Sequence, residues 1–518
     1  MKKKVGVIGA GPSGLVTIKE LLSQGIDPIC FESQETFGGA FRPILKGGRS
    51  YDNLKLTVSN YFMAYSDFMP DPGTERRYWK VVEYRKYLDD YVERFDLKKH
   101  ILFSHEVTHA DIDGHQVLVQ VKNDKKKSST YHVDHLIICG GSNFTPFTPT
   151  FDQQEGFEGK ILHSSNYPGA AAFRGKRVVC IGLGESGADI VHEISQVTQC
   201  EVLVRDYPNV IPRWINGFTN DAYTAFAFYK MGARGIDFFM KIKAFYYLRF
   251  KKNMTTGERL VQEWIYKRKT FIGKFLTKSD IFIEDIIQKR LILKKDEVKS
   301  LTRDTILTTN GDQIKADVIL CNTGYQTSLD SFSFGSDFEN PRRLFKHMIH
   351  PEYGDKVCIV GWARPTQGGL PACSEMQSRY IAMLISEKKS LPSIDRMEAT
   401  ISKDAAYYEK VFKDSKRINS LISYHDFMND MAKLIGCKPN FLKGKNLRLL
   451  PKYLFGSQLP SFYRINDVSP NENTKSSITS LPIAYSWRRR MVIFFVIIFC
   501  KPILGLINLK EMAVQSKV

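Results

Sequence analysis

The chain has 518 residues, of which 43% are hydrophobic and 25% are charged. This length predicts two or three domains, and the composition excludes an intrinsically disordered chain. The formal net charge of +19 favours an anionic partner, and a dinucleotide phosphate, an acidic lipid surface and a nucleic acid all satisfy that condition.

The first predicted element is a short β-branched strand that runs directly into a glycine motif. VGVIGAGPSG, residues 5–14, has the pattern G-x-G-x-x-G between this strand and a segment typical of a helix. In such a turn the glycines let the backbone approach a pyrophosphate, and the first amides of the helix point at it. The residues predicted to bind this nucleotide are Gly9, Ala10, Gly11, Pro12, Ser13 and Gly14.

A second copy of the same arrangement follows later in the chain. RVVCIGLGESG, residues 177–187, again places a strand, a glycine turn and a helix in succession. One G-x-G-x-x-G is a weak signal, but two copies in matched contexts indicate two nucleotide sites. The predicted contacts of the second site are Gly182, Gly184, Glu185, Ser186 and Gly187.

The residue that ends the second strand of each unit predicts which nucleotide binds. Glu32 follows Gly9 by 23 positions, and Arg205 follows Gly182 by 23 positions. A carboxylate accepts hydrogen bonds from ribose hydroxyls, whereas an arginine receives a 2′-phosphate. We therefore predict FAD at Glu32 and NADPH at Arg205. Arg213 and nearby lysines are alternatives for the phosphate, and the Asp206 carboxylate adjoins the predicted phosphate site.

Two apolar strands that end in glycine turns predict the domain boundaries. DHLIICGGS begins at Asp134, and DVILCNTGY begins at Asp317 and contains Gly324, a further predicted cofactor contact. The predicted fold is α/β, with two Rossmann-like domains, the NADPH domain inserted in the FAD domain, and a helical, apolar C-terminal segment. The predicted limits are 1–170 and 317–445 for the FAD domain, 171–316 for the NADPH domain and 446–518 for the C-terminal region.

Two other regions have unusual composition. Residues 209–299 are rich in aromatic and basic side chains, which suit a core, a cover over the active site or a membrane surface. Residues 491–509, MVIFFVIIFCKPILGLINL, follow Trp487 and three arginines and have about the length of a bilayer core. They predict a membrane anchor, with a buried terminal helix as the alternative.

The nine scattered cysteines, several of them in apolar runs, predict reduced thiols and a cytosol-facing fold.

Several stretches resemble the flavin-containing monooxygenases. FEGKILHSSNY, residues 157–167, matches the family fingerprint F-x-G-x-x-x-H-x-x-x-Y at Phe157, Gly159, His163 and Tyr167. NVIPR and SEMQSR, from residues 209 and 374, are similar to two further family motifs. GGAFR, residues 38–42, is similar to the flavin-contacting segment, so the resemblance adds Gly39, Ala40 and Phe41 to the predicted cofactor contacts.

The catalytic prediction depends on one divergent segment. LTVSNYFMAYSDF, from Leu56, corresponds to the family segment T-N-x-S-K-E-M, whose asparagine lies near the flavin. Alignment places Thr57 or Val58 opposite that asparagine, and Asn60 is the asparagine within reach. We predict Asn60 as the catalytic residue and Thr57 as a cofactor contact. For His163, a hinge or supporting role is favoured over acid–base catalysis.

The resemblance implies an NADPH- and O₂-dependent enzyme in which a flavin C4a-hydroperoxide oxygenates a soft nitrogen or sulfur nucleophile. The alternatives are a Baeyer–Villiger or other carbonyl-directed monooxygenase and an uncoupled NADPH oxidase. The expected partners are a small-molecule nucleophile and O₂, without nucleic acid or a bound metal, and an oligomer is left open. The C-terminus is similar to that of membrane-attached members, which implies the cytosolic face of the endoplasmic reticulum membrane, or otherwise the cytoplasm.

Overall fold

The computed structural model describes residues 3–43, 48, 50–51, 53–141, 145–267, 273, 276–415, 418–442, 444–467 and 472–495. The strands are β1 (Val5–Ile8), β2 (Pro28–Phe31), β3 (Ile101–Leu102), β4 (His105–Asp113), β5 (Gln116–Asn123), β6 (Ser128–Val133), β7 (His135–Ile138), β8 (Thr145–Pro146), β9 (Lys160–His163), β10 (Val178–Ile181), β11 (Cys200–Val204), β12 (Asn209–Val210), β13 (Trp214–Ile215), β14 (Phe218–Thr219), β15 (Leu276–Thr277), β16 (Leu291–Lys295), β17 (Val298–Leu301), β18 (Thr305–Thr308), β19 (Gln313–Lys315), β20 (Val318–Cys321), β21 (Tyr325–Gln326), β22 (Val357–Ile359), β23 (Arg364–Pro365) and β24 (Leu421–Ile422). The helices are α1 (Pro12–Ser23), α2 (Asn60–Met63), α3 (Val81–Arg94), α4 (Glu185–Ser195), α5 (Phe226–Tyr229), α6 (Gly232–Phe250), α7 (Thr256–Lys267), α8 (Ile283–Ile287), α9 (Gly335–Phe338), α10 (Leu370–Ile385), α11 (Ile394–Val411), α12 (Tyr424–Ile435), α13 (Leu450–Phe455), α14 (Glu472–Ser480) and α15 (Trp487–Phe495).

A parallel five-stranded sheet, in the order β22-β7-β1-β2-β3, forms the centre of the first domain. Its inner strands are apolar because helices and a second layer cover both faces, as is usual for parallel sheets. Helices α1 and α10 pack against each other over this sheet, and the antiparallel meander β4-β5-β6 follows β3. The predicted fold class, an α/β protein with Rossmann-like parallel sheets, is confirmed.

A second parallel sheet, in the order β16-β11-β10-β20-β9, forms the second domain. It includes β9 and β20, which lie just outside the predicted limits of 171–316. An apolar strand such as β20 suits either sheet, and only its pairing with β10 and β9 decides which sheet it enters. The chain passes between the domains at β8 and β21, which pair antiparallel with each other.

The aromatic and basic insertion, residues 209–299, extends from the second domain. Its helix α7 buries Val261, Trp264 and Ile265 in the core of that domain. Helix α6 has a different character, because it leaves several large apolar side chains exposed, among them Phe238 and Phe250. Only part of the insertion is therefore core.

The membrane-anchor prediction falls largely on residues that the structure does not describe. Helix α15 covers the first part of the segment, residues 491–495, and the remainder lies outside the described residues. Among the described helices, none combines the length and the apolar character that crossing a bilayer requires. The described cysteines are buried and free.

Candidate functional site

The first glycine turn connects β1 to α1 and has the geometry of a phosphate cradle. Gly9 has a φ of +92°, and a Cβ on Gly14 would lie 1.8 Å from the carbonyl oxygen of Gly9. Any side chain at Gly14 therefore collides with backbone. Helix α1 begins at Pro12, which has no N–H, so the amides of Ser13 and Gly14 in its first turn are the ones available to an anion.

Glu32 directly follows β2 and is 4% exposed. Its Oε2 accepts a hydrogen bond from the amide of Ala10 at 2.7 Å, and its Oε1 accepts from the amide of Gln34 at 3.0 Å. The Arg42 guanidinium lies 3.5 Å from Oε1. Glu32 is thus a buried carboxylate beside the cradle, where a ribose would lie.

A single helical turn, Gly39–Phe41, packs on this cradle. The amide of Gly38 donates to the carbonyl oxygen of Ala10 at 3.0 Å, and a Cβ on Gly39 would meet Gly11 Cα at 3.0 Å. Ala40 and Phe41 continue from this turn into the wall of a cavity. The predicted contacts Ala10, Gly11 and Gly39 therefore lie together.

The second cradle connects β10 to α4. Gly182 has a φ of +90°, and a Cβ there would lie 2.9 Å from the carbonyl oxygen of Asn322. A Cβ on Gly184 would meet no atom within 4 Å, so the backbone at this point is open to a ligand. All five residues predicted for this site line the cavity: Gly182, Gly184, Glu185, Ser186 and Gly187.

Arg205 follows β11 and lies exposed in the cavity wall. Its neighbour Asp206 forms an ion pair with Lys295 at 3.4 Å. Helix α7 adds Trp264 and Lys267 to the same part of the wall, and the Trp264 ring stacks on Tyr207 with the ring centroids 5.6 Å apart. Sequence reasoning missed Lys295, Trp264 and Lys267, although the aromatic and basic composition of the insertion was a signal.

One cavity of about 2100 Å³ lies between the two domains, and among the described residues its wall does not include Gly9–Gly14 or Glu32. It contains the second cradle and Arg205, and it extends to Ala40, Phe41 and Thr57 of the first domain. Lys55 and Arg364 also line it. Nη2 of Arg364 lies 4.0 Å from Oε2 of Glu185, whose other oxygen lies 3.7 Å from Nζ of Lys278. The wall therefore has basic groups that suit an anion.

The structure places the two predicted residues of the divergent segment, Asn60 and Thr57, in different surroundings. Asn60 is fully buried: its amide nitrogen donates to the carbonyl oxygen of Glu75 at 2.9 Å, and its Oδ1 accepts from the amides of Tyr61 and Arg77, both at 3.1 Å. Among the described residues, the cavity wall includes Thr57 and does not include Asn60. These contacts hold the loop before α3, and the catalytic role of Asn60 stays a prediction.

His163 and Gly324 meet where the chain passes between the domains. Nε2 of His163 lies 2.9 Å from the carbonyl oxygen of Gly324, and Nδ1 accepts from the amide of Ser165 at 3.0 Å. The Gly324 carbonyl also accepts from the amide of Phe147 at 2.9 Å. Both ring nitrogens therefore have hydrogen-bond partners, and the supporting role of His163 stays a prediction.

Comparison with known proteins gives a consistent family. A model of the family described as "Flavin-binding monooxygenase-like" matches residues 2–480. A "4-hydroxybenzoate brominase (decarboxylating)" of Marinomonas mediterranea is 34% identical, over 94% of this chain and 95% of its own length. "Flavin-containing monooxygenase 5" of Mus musculus is 28% identical, over 90% and 89%. A crystal structure of cyclohexanone monooxygenase in its open form is 16% identical, with a TM-score of 0.59, over 84% and 98%.

The prediction of the endoplasmic reticulum membrane is wrong. It rested on the apolar segment 491–509 as a monotopic or single-pass anchor, and among the residues that the structure describes no helix is long and apolar enough to cross a membrane. The brominase relative, moreover, is a bacterial protein, and bacteria have no endoplasmic reticulum.

Proposed function

The chain belongs to the flavin-binding monooxygenase-like family, and from this premise we propose that it transfers one oxygen atom from O₂ to a soft nucleophile. It is an oxidoreductase whose cofactors are FAD and NADPH. The observation that carries the proposal is the single cavity that the second cradle shares with Ala40, Phe41 and Thr57 of the first domain.

We assign FAD to the first cradle. The Gly9–Gly14 turn receives the pyrophosphate on the amides of α1, and the buried carboxylate of Glu32 receives the ribose hydroxyls. Gly14 supports this assignment, because a Cβ at this position would collide with the carbonyl oxygen of Gly9 and distort the turn. When bound, FAD supplies the redox chemistry between NADPH and O₂.

We assign NADPH to the second cradle. The open backbone at Gly184 and the start of α4 receive its pyrophosphate, and Arg205 receives the 2′-phosphate. Lys295 and Lys267 add positive charge nearby. The remaining work of the chain is to orient the nucleotides, exclude water and hold the substrate beside Thr57.

The soft nucleophile is a nitrogen or a sulfur in the first candidate reaction and a halide in the second. For an amine the balance is NADPH, H⁺, O₂ and the amine, giving NADP⁺, water and the N-oxide. For bromide it is NADPH, two H⁺, O₂ and Br⁻, giving NADP⁺, water and HOBr. All three cases are attack on an electrophilic oxygen by a polarizable lone pair, so the cavity needs no protein nucleophile.

A halide with a phenolic acid is the second candidate, and a specific observation favours it. The Marinomonas relative has a name that states bromination of 4-hydroxybenzoate, and it matches nearly the whole chain. Lys55 and Arg364 in the cavity wall suit the anions that this reaction uses. The likeness to cyclohexanone monooxygenase is of the fold, so it adds no support for carbonyl oxygenation.

The test is a substrate panel with purified holoenzyme, NADPH and O₂. The panel contains a tertiary amine, a thioether, cyclohexanone, and 4-hydroxybenzoate with and without bromide. Products are identified by mass spectrometry, while NADPH consumption and H₂O₂ are measured in parallel.

Product in proportion to NADPH from the amine or thioether supports N- or S-oxygenation, and bromide-dependent product from the phenolic acid supports halogenation. The proposal is overturned if cyclohexanone is the only substrate of the panel that is oxygenated, or if every substrate gives H₂O₂ and no oxygenated product.

A further inference from the structure

The cavity-wall segment that contains Thr57 is held at its end by the insertion of the second domain. The amide of Ser59 donates to Oδ2 of Asp221 at 2.5 Å. Asp221 lies in a short turn after β14 and is 3% exposed. This hydrogen bond therefore joins the two domains next to Thr57.

Asp221 is the centre of a larger buried network. Its Oδ1 accepts from Nη2 of Arg76 at 2.8 Å and from the hydroxyl of Thr219 at 2.6 Å. Arg76 also donates to Oγ of Ser59 at 3.2 Å and to Oγ of Ser457 at 2.6 Å. Burial alone would raise the pKa of Asp221, but Arg76 and these hydrogen bonds hold that pKa below its ordinary value. The carboxylate is therefore charged.

A second group of contacts fixes the same interface. Nη2 of Arg213 donates to both carboxylate oxygens of Asp189 in α4, at 2.8 and 3.1 Å. The Tyr78 hydroxyl donates to the carbonyl oxygen of Arg213 at 2.6 Å and accepts from the amide of Asn220 at 2.9 Å. The insertion is thus fixed both to the second cradle and to the loop before α3.

We propose that Asp221 is a positioning residue that fixes the Thr57–Ser59 segment. It thereby controls the fraction of the consumed NADPH that yields oxygenated product instead of H₂O₂. This inference rests on the proposed function. In the uncoupled reaction, NADPH, H⁺ and O₂ give NADP⁺ and H₂O₂. The two electrons then reduce O₂, and no oxygen atom is transferred to the substrate. A reactive site must be dry and its groups correctly placed, and misplacement by about 1 Å is costly.

The test compares two buried aspartates of the second domain. Asp221→Asn keeps the size of the side chain and removes its charge. Asp285→Asn is the matched control, because Asp285 is likewise buried and pairs with an arginine, Arg290 at 2.6 Å, and with His192. Both variants remove the charge of a buried carboxylate that pairs with an arginine, but of the two aspartates only Asp221 contacts the cavity-wall segment.

For Asp221→Asn we expect the ratio of H₂O₂ to product to rise about tenfold, the factor that loss of one charge-assisted hydrogen bond implies. Flavin content should be unchanged, and hydrogen exchange in the peptide containing Thr57–Met63 should be faster. Asp285→Asn should lower the melting temperature and leave both the ratio and that peptide unchanged. A wild-type ratio in Asp221→Asn, or an equal rise in Asp285→Asn, overturns the inference.

A milder variant covers the case in which Asp221→Asn fails to fold. Thr219→Val removes one hydrogen bond to the carboxylate and should raise the ratio in the same direction by a smaller factor. An unchanged ratio in Thr219→Val then overturns the inference. If the wild-type enzyme itself gives only H₂O₂, the proposed function fails, and hydrogen exchange at Thr57–Met63 still decides whether Asp221 holds the segment.

Discussion

The two glycine cradles have the same backbone design, but their surroundings differ. In the first, a Cβ on the second motif glycine, Gly11, would lie 3.5 Å from Gly39 Cα, and the buried Glu32 carboxylate has four hydrogen-bond partners. In the second, Gly184 faces open space and Arg205 is exposed in the cavity wall. A closed site suits a cofactor that stays bound, and an open site suits one that exchanges in each turnover. We therefore expect a resident nucleotide in the first cradle and an exchanging nucleotide in the second.

The strongest test of this comparison replaces the same motif glycine in each cradle. In Gly14→Ala the new Cβ would lie 1.8 Å from the backbone oxygen of Gly9. In Gly187→Ala its nearest neighbours would be Cβ of Asn322 at 3.2 Å and the backbone oxygen of Gly182 at 3.3 Å, which need to move by only a few tenths of an ångström. We expect Gly14→Ala to lose its flavin, because overpacking against backbone costs about 1–3 kcal/mol or more. Gly187→Ala should keep its flavin, as measured by the visible absorption of the purified protein. Equal flavin content in both variants would contradict the difference between the cradles.

The motif and spacing were sufficient to predict the two cradles and the positions of Glu32 and Arg205 directly after the second strands. They did not predict that β20 enters the second sheet, because an apolar strand carries no information about its neighbours. The direction of the Asn60 side chain could not be predicted from the sequence either, because it depends on hydrogen bonds with the backbone of Glu75 and Arg77. Contacts between distant segments, such as Asp221 with Arg76, leave no local pattern.

The next test concerns the charge that distinguishes the second cradle. Arg205→Ala removes a charge-assisted contact to the 2′-phosphate, which is worth about 1.5–3 kcal/mol, so the KM for NADPH should rise about 10- to 100-fold. The KM for NADH should stay unchanged, because NADH lacks that phosphate. Steady-state kinetics with both nucleotides measures the effect, and an equal change for both would contradict the assignment.

The divergent segment allows a test of intermediate size. Asn60→Ala removes hydrogen bonds to buried backbone groups, so we expect a loss of stability of about 1–3 kcal/mol, measured by chemical denaturation. Thr57→Ala, its control in the cavity wall, should keep the stability of the wild type and change the KM or the H₂O₂ ratio. An Asn60→Ala protein of normal stability without activity would restore the catalytic role predicted for Asn60.

The smallest effect concerns Asp206, which places a negative charge beside the predicted 2′-phosphate site and pairs with Lys295. Asp206→Asn removes the repulsion of the phosphate and frees Lys295, so the KM for NADPH should fall. Because exposed charge pairs contribute about 0.2–1 kcal/mol, a decrease of about two- to fivefold is expected at low salt. Screening shortens the reach of charges to about 3 Å at 1 M salt, so the advantage should disappear there. Lys295→Gln should change the KM in the opposite direction. A decrease that persists at high salt would mean that Asp206 acts on the nucleotide through shape rather than charge. The second cradle would then differ from the first in more than its solvent exposure and the sign of the charge beside the ribose.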